Sequence, residues 1–155
     1  ATLPRPAEIN PLPLPERPKV INLTTEAVSP FTERKEVVLI RIAEHQLMQQ
    51  VRVCRATPAT FISLAMARAI ARLHPDSAPS VPTVCLAVNL RKVMGTPLAH
   101  HSMVGGLFLP LGQELKGKSF SEQVKAFREM VTEQTYPDNL QAYFWQTQDR
   151  MDMIS

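Results

Sequence analysis

Apolar positions recur along this chain with two periods, and the switches between them divide it into elements. Glu36-Val37-Val38-Leu39-Ile40-Arg41-Ile42 is short and rich in β-branched residues, a composition that predicts a strand. The period then lengthens. Leu47, Met48, Val51 and Cys54 fall on one helical face and His45, Gln46, Gln49 and Gln50 on the other, which predicts a short amphipathic helix. Thr57-Pro58 predicts the start of the next: a threonine oxygen caps free N–H groups, and proline at the first helical position gives up a donor that had no partner. From there to Leu73 the residues are apolar nearly all round, so a buried helix is expected, ended by His74-Pro75.

The turn-rich stretch Asp76 to Pro82 returns the pattern to strand. Thr83 to Leu90 is almost unbroken in apolar character and predicts a strand buried on both faces. A third strand is expected over Met103 to Leu111, entered through Gly105-Gly106 and closed by Pro110 and Gly112. Ser119 and Glu122 have the Ser-x-x-Glu spacing of a capping box, and Phe120, Val124, Phe127 and Val131 form the apolar stripe of the helix it opens. A last helix is expected after Pro137-Asp138. The order predicts an α/β or α+β fold, a mixed β-sheet with flanking helices and no internal repeat.

Proline changes the picture at the N-terminal end. Six of the 14 prolines lie between Pro4 and Pro18, and a residue with fixed φ and no N–H donor excludes helix and central strand there. Residues 1–30 are therefore expected to be an extended linker laid over a larger body, which residues 31–155 form. A proline-rich ligand for a small binding module is the competing reading. Ala1 opens without a secretion-type leader, and the last helix has no stop signal. Both ends suggest a fragment of something longer.

Composition narrows the class. Apolar residues make up 45% of the chain and charged residues 20%, the balance of a soluble globular protein, and no apolar run is long enough to span a membrane. The net charge of +3 is spread among acids and apolar residues rather than gathered on one face, which argues against a nucleic-acid partner. Cys54 and Cys85 sit in apolar contexts as small hydrophobes expected to be buried, and two cysteines without a disulfide framework point to the cytoplasm.

One ordered set of residues goes further. Val53-Cys54-Arg55-Ala56-Thr57-Pro58-Ala59-Thr60-Phe61 leads from a short helix through a cysteine-containing turn into a capped long helix. Ala87-Val88-Asn89-Leu90-Arg91 then ends a strand, and a loop and the Val104-Gly105 step open another. Together these resemble the second lobe of the chloramphenicol-acetyltransferase-like superfamily. The nearest members are the alcohol acetyltransferases and, at greater distance, peptide-synthetase condensation domains and mycolipid acyltransferases. The resemblance covers about Glu36 to Tyr136.

It implies one lobe of a two-lobed CoA-dependent acyltransferase fold. A tunnel between the lobes would take a thioester donor, acyl-CoA or a carrier-bound phosphopantetheine thioester, and a hydroxyl acceptor. The expected partners are thus an N-terminal lobe of the same protein and small-molecule donor and acceptor, with no metal. The catalytic base of such enzymes is the second histidine of a His-His-x-x-x-Asp-Gly motif in the first lobe. His100-His101-Ser102-Met103-Val104-Gly105-Gly106 nearly copies that spacing but has Gly105 in place of the aspartate and precedes a strand rather than a helix, so His101 is only the minor candidate for a base. Asn89, Arg91, Gly105 and Gly106 are the expected tunnel or support residues. Arg91 would hold loops near the active centre, and the glycines would admit close approach of backbone or ligand. A carrier-dependent condensation-type domain and a non-catalytic interaction module remain the alternatives.

Overall fold

The computed structural model of the chain describes residues 5–21, 39–100 and 102–153. It is an α+β arrangement, mostly helical: α1 (Glu44–Val53), α2 (Pro58–Leu73), β1 (Thr83–Asn89), β2 (Val104–Pro110), a single 3₁₀ turn (Gln113–Leu115), α3 (Phe120–Gln134) and α4 (Pro137–Asp152). β1 and β2 pair antiparallel with Leu86 opposite Leu107 and Ala87 opposite Gly106. The hydrogen bonds flanking the strands, Leu111 N–H to Pro82 C=O and Leu90 N–H to Met103 C=O, extend the same register. Even-numbered residues of β1 therefore bond to odd-numbered residues of β2, and the remaining backbone groups point outward from both edges.

The expected mixed, three-stranded sheet is thus corrected to a two-stranded antiparallel one among the described residues. Of the strand expected over Glu36 to Ile42, residues 36–38 lie outside the described residues. Leu39 to Ile42 form no strand and are exposed. Their β-branched composition suits a pleated surface, but a strand exists only where a neighbouring edge supplies its hydrogen bonds. Among the described residues the one parallel pairing is a bridge between Val20 and Val81, where Lys19 C=O accepts from Val81 N–H at 2.8 Å and Ile21 N–H donates to Val81 C=O at 3.2 Å.

Capping sets the helix starts where the sequence places them. Thr57 Oγ1 accepts from Thr60 N–H at 3.2 Å while Thr60 Oγ1 accepts from Thr57 N–H at 3.0 Å, a reciprocal box that leaves Pro58 to open α2. Ser119 Oγ accepts from Glu122 N–H at 3.3 Å, and the Glu122 carboxylate accepts from Ser119 N–H at 2.8 Å. The turn after α1 closes through Arg55, which sits at φ 51° so that Ala56 N–H reaches Val51 C=O at 2.9 Å. Arg128 on α3 donates to Arg55 C=O, tying that corner to the third helix.

The Ser119 hydroxyl, and after it the Ser119 N–H, hold the Glu122 carboxyl below its ordinary value of 4.5. A carboxylate lowered on folding contributes stability that is complete above about pH 4.5 and drains away as pH falls through the lowered value. Glu122→Gln should accordingly flatten the acid limb of the thermal midpoint against pH while leaving the slope near neutrality unchanged. A differential scanning measurement across that range reads it directly.

Helices cover one face of the hairpin. Leu64 and Ala67 of α2, Val124 and Phe127 of α3 and Leu109 of β2 form one buried cluster with Leu111 and Leu115. Leu90, Met103, Leu107 and Leu140 form a second. Leu86 and Val131 pack against both and join them. Burial at this density supplies the main favourable term of folding.

Three burial expectations change. β1 is not buried on both faces: Cys85, Ala87 and Asn89 alternate outward and are exposed, because no described helix or strand lies over them. Cys85 is therefore an exposed thiol rather than a core residue, while Cys54 is half-buried. α2 buries only the face carrying Thr60, Ser63, Leu64 and Ala67, and Ile62, Met66 and Leu73 remain exposed on its other side.

Residues 5–21 contain no helix and run extended across the helices and β2 as a proline-rich strap. Arg5 pairs with Asp149 at 3.1 Å and lies over the Trp145 ring. Asn10 N–H donates to Asp138, and the Arg17 guanidinium stacks 3.9 Å above the Phe108 ring. The exposed ion pair adds little, but the stacked cations bury stem and ring together.

Candidate functional site

The pleat puts Thr83, Cys85, Ala87 and Asn89 of β1 on the same outward face as Val104, Gly106, Phe108 and Pro110 of β2. Its centre is small. Ala87 faces Gly106, and a Cβ on Gly106 would come within 2.8 Å of Cys85 Sγ. Glycine at 106 therefore keeps a shallow depression between Cys85 and Phe108 where a larger residue would push the thiol aside. Gly105 points the other way. It is buried against Leu90 and Tyr143, each 3.2 Å from where its Cβ would stand, so it serves helix packing under the sheet rather than the open face.

Asn89 and Arg91 mark the end of β1. Asn89 Oδ1 accepts from Arg91 N–H at 3.0 Å and stands 3.4 Å from Arg91 Nη1, while Arg91 Nε donates to Ala99 C=O at 3.0 Å. The guanidinium thus clamps the far end of the 92–100 loop to its start. Met94 N–H to Leu90 C=O and Thr96 N–H to Arg91 C=O wind the near end. This loop carries His100 on the surface; His101 lies outside the described residues. Arg91→Ala should speed amide hydrogen exchange at Thr96 and Ala99 while leaving β1 protection unchanged. Exchange mass spectrometry on loop peptides measures the difference.

Of the four support residues expected from sequence, Asn89 and Arg91 come together through direct hydrogen bonds, and Gly106 lies on the same open face two residues along the ladder. Gly105 does not join them. Among the described residues no three His, Cys, Asp or Glu side chains gather into a metal-binding group.

Gln134, at the end of α3, has no counterpart in the sequence reading. Its Oε1 accepts from Phe108 N–H at 2.8 Å and its Nε2 donates to Phe108 C=O at 2.8 Å, so one carboxamide takes the place of a strand residue at the outer edge of β2. On either side of it the strap roofs a cavity. One, of about 280 Å³, lies between Leu12, Leu14, Gly106, Leu107 and α4. The other, of about 710 Å³, lies between Val20, Val81, Phe108, Pro110 and Met130, with Glu16, Glu114 and Glu133 also in its wall. A glutamine that closes a strand edge carries no periodic signature, since the pairing is defined across 26 residues of chain.

Comparison with protein-family models, with curated proteins and with solved structures finds no match to this chain. No described helix is long and apolar enough to cross a membrane.

Proposed function

We propose that this chain is the second lobe of a thioester-dependent acyltransferase, of the chloramphenicol-acetyltransferase-like kind its motifs resemble, and that the open face of the β1–β2 hairpin walls a substrate tunnel. The observation that carries the reading is the part of the outer face that no described element covers: helices pack on one side of the hairpin, while on the other, beyond Phe108 under the strap's Arg17, Cys85, Ala87, Asn89 and Val104 are exposed around the depression at Gly106. A two-stranded sheet with a bare face suits a lobe that is completed by further protein. The exposed Ile62, Met66 and Leu73 on α2 add to the same expectation.

In this reading an N-terminal lobe supplies the base. It removes the proton from an acceptor hydroxyl as the oxygen attacks the thioester carbonyl; the C–S bond breaks, the proton passes to the leaving sulfur and the thiol departs. The present chain orients the two substrates, which lowers the entropic part of the barrier, and keeps water from competing. Asn89 and Arg91 act as positioning residues for the 92–100 loop beside that face.

The test is to express the parent reading frame and follow thiol release from acetyl-CoA in the presence of short-chain alcohols. Alcohol-dependent release that Gly106→Val lowers at unchanged thermal stability supports the proposal. Release with an acylated carrier protein and not with acyl-CoA moves the reading to a condensation-type domain. A folded parent protein that transfers from neither donor overturns it.

A further inference from the structure

The larger of the two cavities under the strap joins apolar walls to an excess of negative charge. Its volume of about 710 Å³ lies within the range of small-molecule sites, and it is open to solvent on one side, so a ligand can reach its wall. Leu14 and Val20 of the strap and Val81, Phe108, Pro110 and Met130 of the body give it surfaces that a hydrocarbon group covers favourably.

The polar groups of the wall divide unevenly. Both ends of the Gln134 amide are engaged with Phe108, and Thr83 Oγ1 donates to Val81 C=O at 3.4 Å, which leaves it as an acceptor. Gln113 is exposed and neutral. Glu16, Glu114 and Glu133 line the same cavity, and none of their carboxylates has an ion-pair or hydrogen-bond partner among the described residues. The one cation in the wall, Arg17, is stacked 3.9 Å above the Phe108 ring. Three carboxylates against one guanidinium leave two negative charges in excess, and a cleft with low-dielectric walls focuses the field of such an excess.

We propose that this cavity is a binding site for a small organic cation, a primary ammonium group on an apolar body. The body displaces water from Leu14, Phe108 and Met130, while the ammonium brings three donors to carboxylates that can only accept. A neutral analogue of the same shape keeps the apolar part of this attraction and loses the rest. An anion meets the excess negative charge and is repelled. The cavity adjoins the outer face of the hairpin through Thr83 and Phe108, but the inference does not rest on the acyltransferase reading, and its test involves no acyl transfer.

The experiment is a methionine-methyl NMR titration of the full chain at low ionic strength and neutral pH with phenylbutylamine, beside phenylbutanol and phenylbutyrate, which keep the skeleton and change the head group. Saturable shifts of the Met130 methyl, assigned by its loss in Met130→Leu, are expected, with the amine binding about tenfold more tightly than the alcohol and the acid weakest. Added salt should narrow the gap between amine and alcohol. Glu114→Gln with Glu133→Gln on the body, and Glu16→Gln on the strap, all at exposed positions, should each weaken the amine and leave the alcohol unchanged. The two sets act from different elements, so a folding defect in one leaves the other as the test. Absence of a saturable shift at Met130 overturns the proposal. So does equal binding of amine and alcohol, or a preference for the amine that the folded triple variant retains.

Discussion

Phe127→Ala should destabilise the chain by about 3 to 5 kcal/mol, the range for deleting a fully buried aromatic side chain. Phe127 is completely buried at the centre of the larger cluster, where α2, α3 and β2 meet through Leu64, Val124 and Leu109. Truncation removes the transfer term of the ring and leaves a void that three elements cannot close together, because each is held from outside that point: α2 by its cap at Thr57, α3 by its cap at Ser119 and β2 by its ladder. Phe127→Leu, which keeps much of the volume, should lose considerably less. Urea titration followed by circular dichroism gives both values, with the midpoint falling and the slope unchanged if the native state stays compact.

Gln134→Leu should cost about 2 kcal/mol, more than removal of an ordinary surface glutamine, because one change strands two backbone groups. Phe108 N–H and C=O face away from β1, so the ladder cannot recover them. Leucine has nearly the same volume, which isolates the loss of hydrogen bonding from the loss of packing. Gln134→Glu offers a sharper comparison: an ionised carboxylate still accepts from Phe108 N–H but cannot donate to the C=O. Its penalty should shrink as the pH falls and the carboxyl regains a proton. Exchange protection of the Phe108 amide, read beside the global stability, separates loss of this contact from general loosening.

Much of the local structure was legible from the chain alone. Thr57-Pro58 and Ser119 with Glu122 mark helix starts because their capping partners lie three residues away, inside the same turn. The apolar stripe of α3 and the two strands β1 and β2 appear where the periodicity puts them. The hydrogen bonds from Asn89 to Arg91 and from Arg91 to Ala99 had no signal in the pattern, because neither periodicity nor a capping spacing marks them. Leu39 to Ile42 show the limit: strand-forming composition describes a residue's fit to a pleated surface and says nothing of whether an edge is there to receive it.

What the sequence by itself determined is thus the four helices, the strands β1 and β2 and the buried stripe of α3, because propensity, capping and periodicity act within a few residues. The tertiary structure alone decided that β1 shows Cys85, Ala87 and Asn89 to the outside and that α2 buries a single face. It also decided that Gln134 closes the edge of β2. An unbroken apolar run is equally compatible with one covered face or two. The choice rests on how many layers are present to cover it, and that is a property of the packed whole.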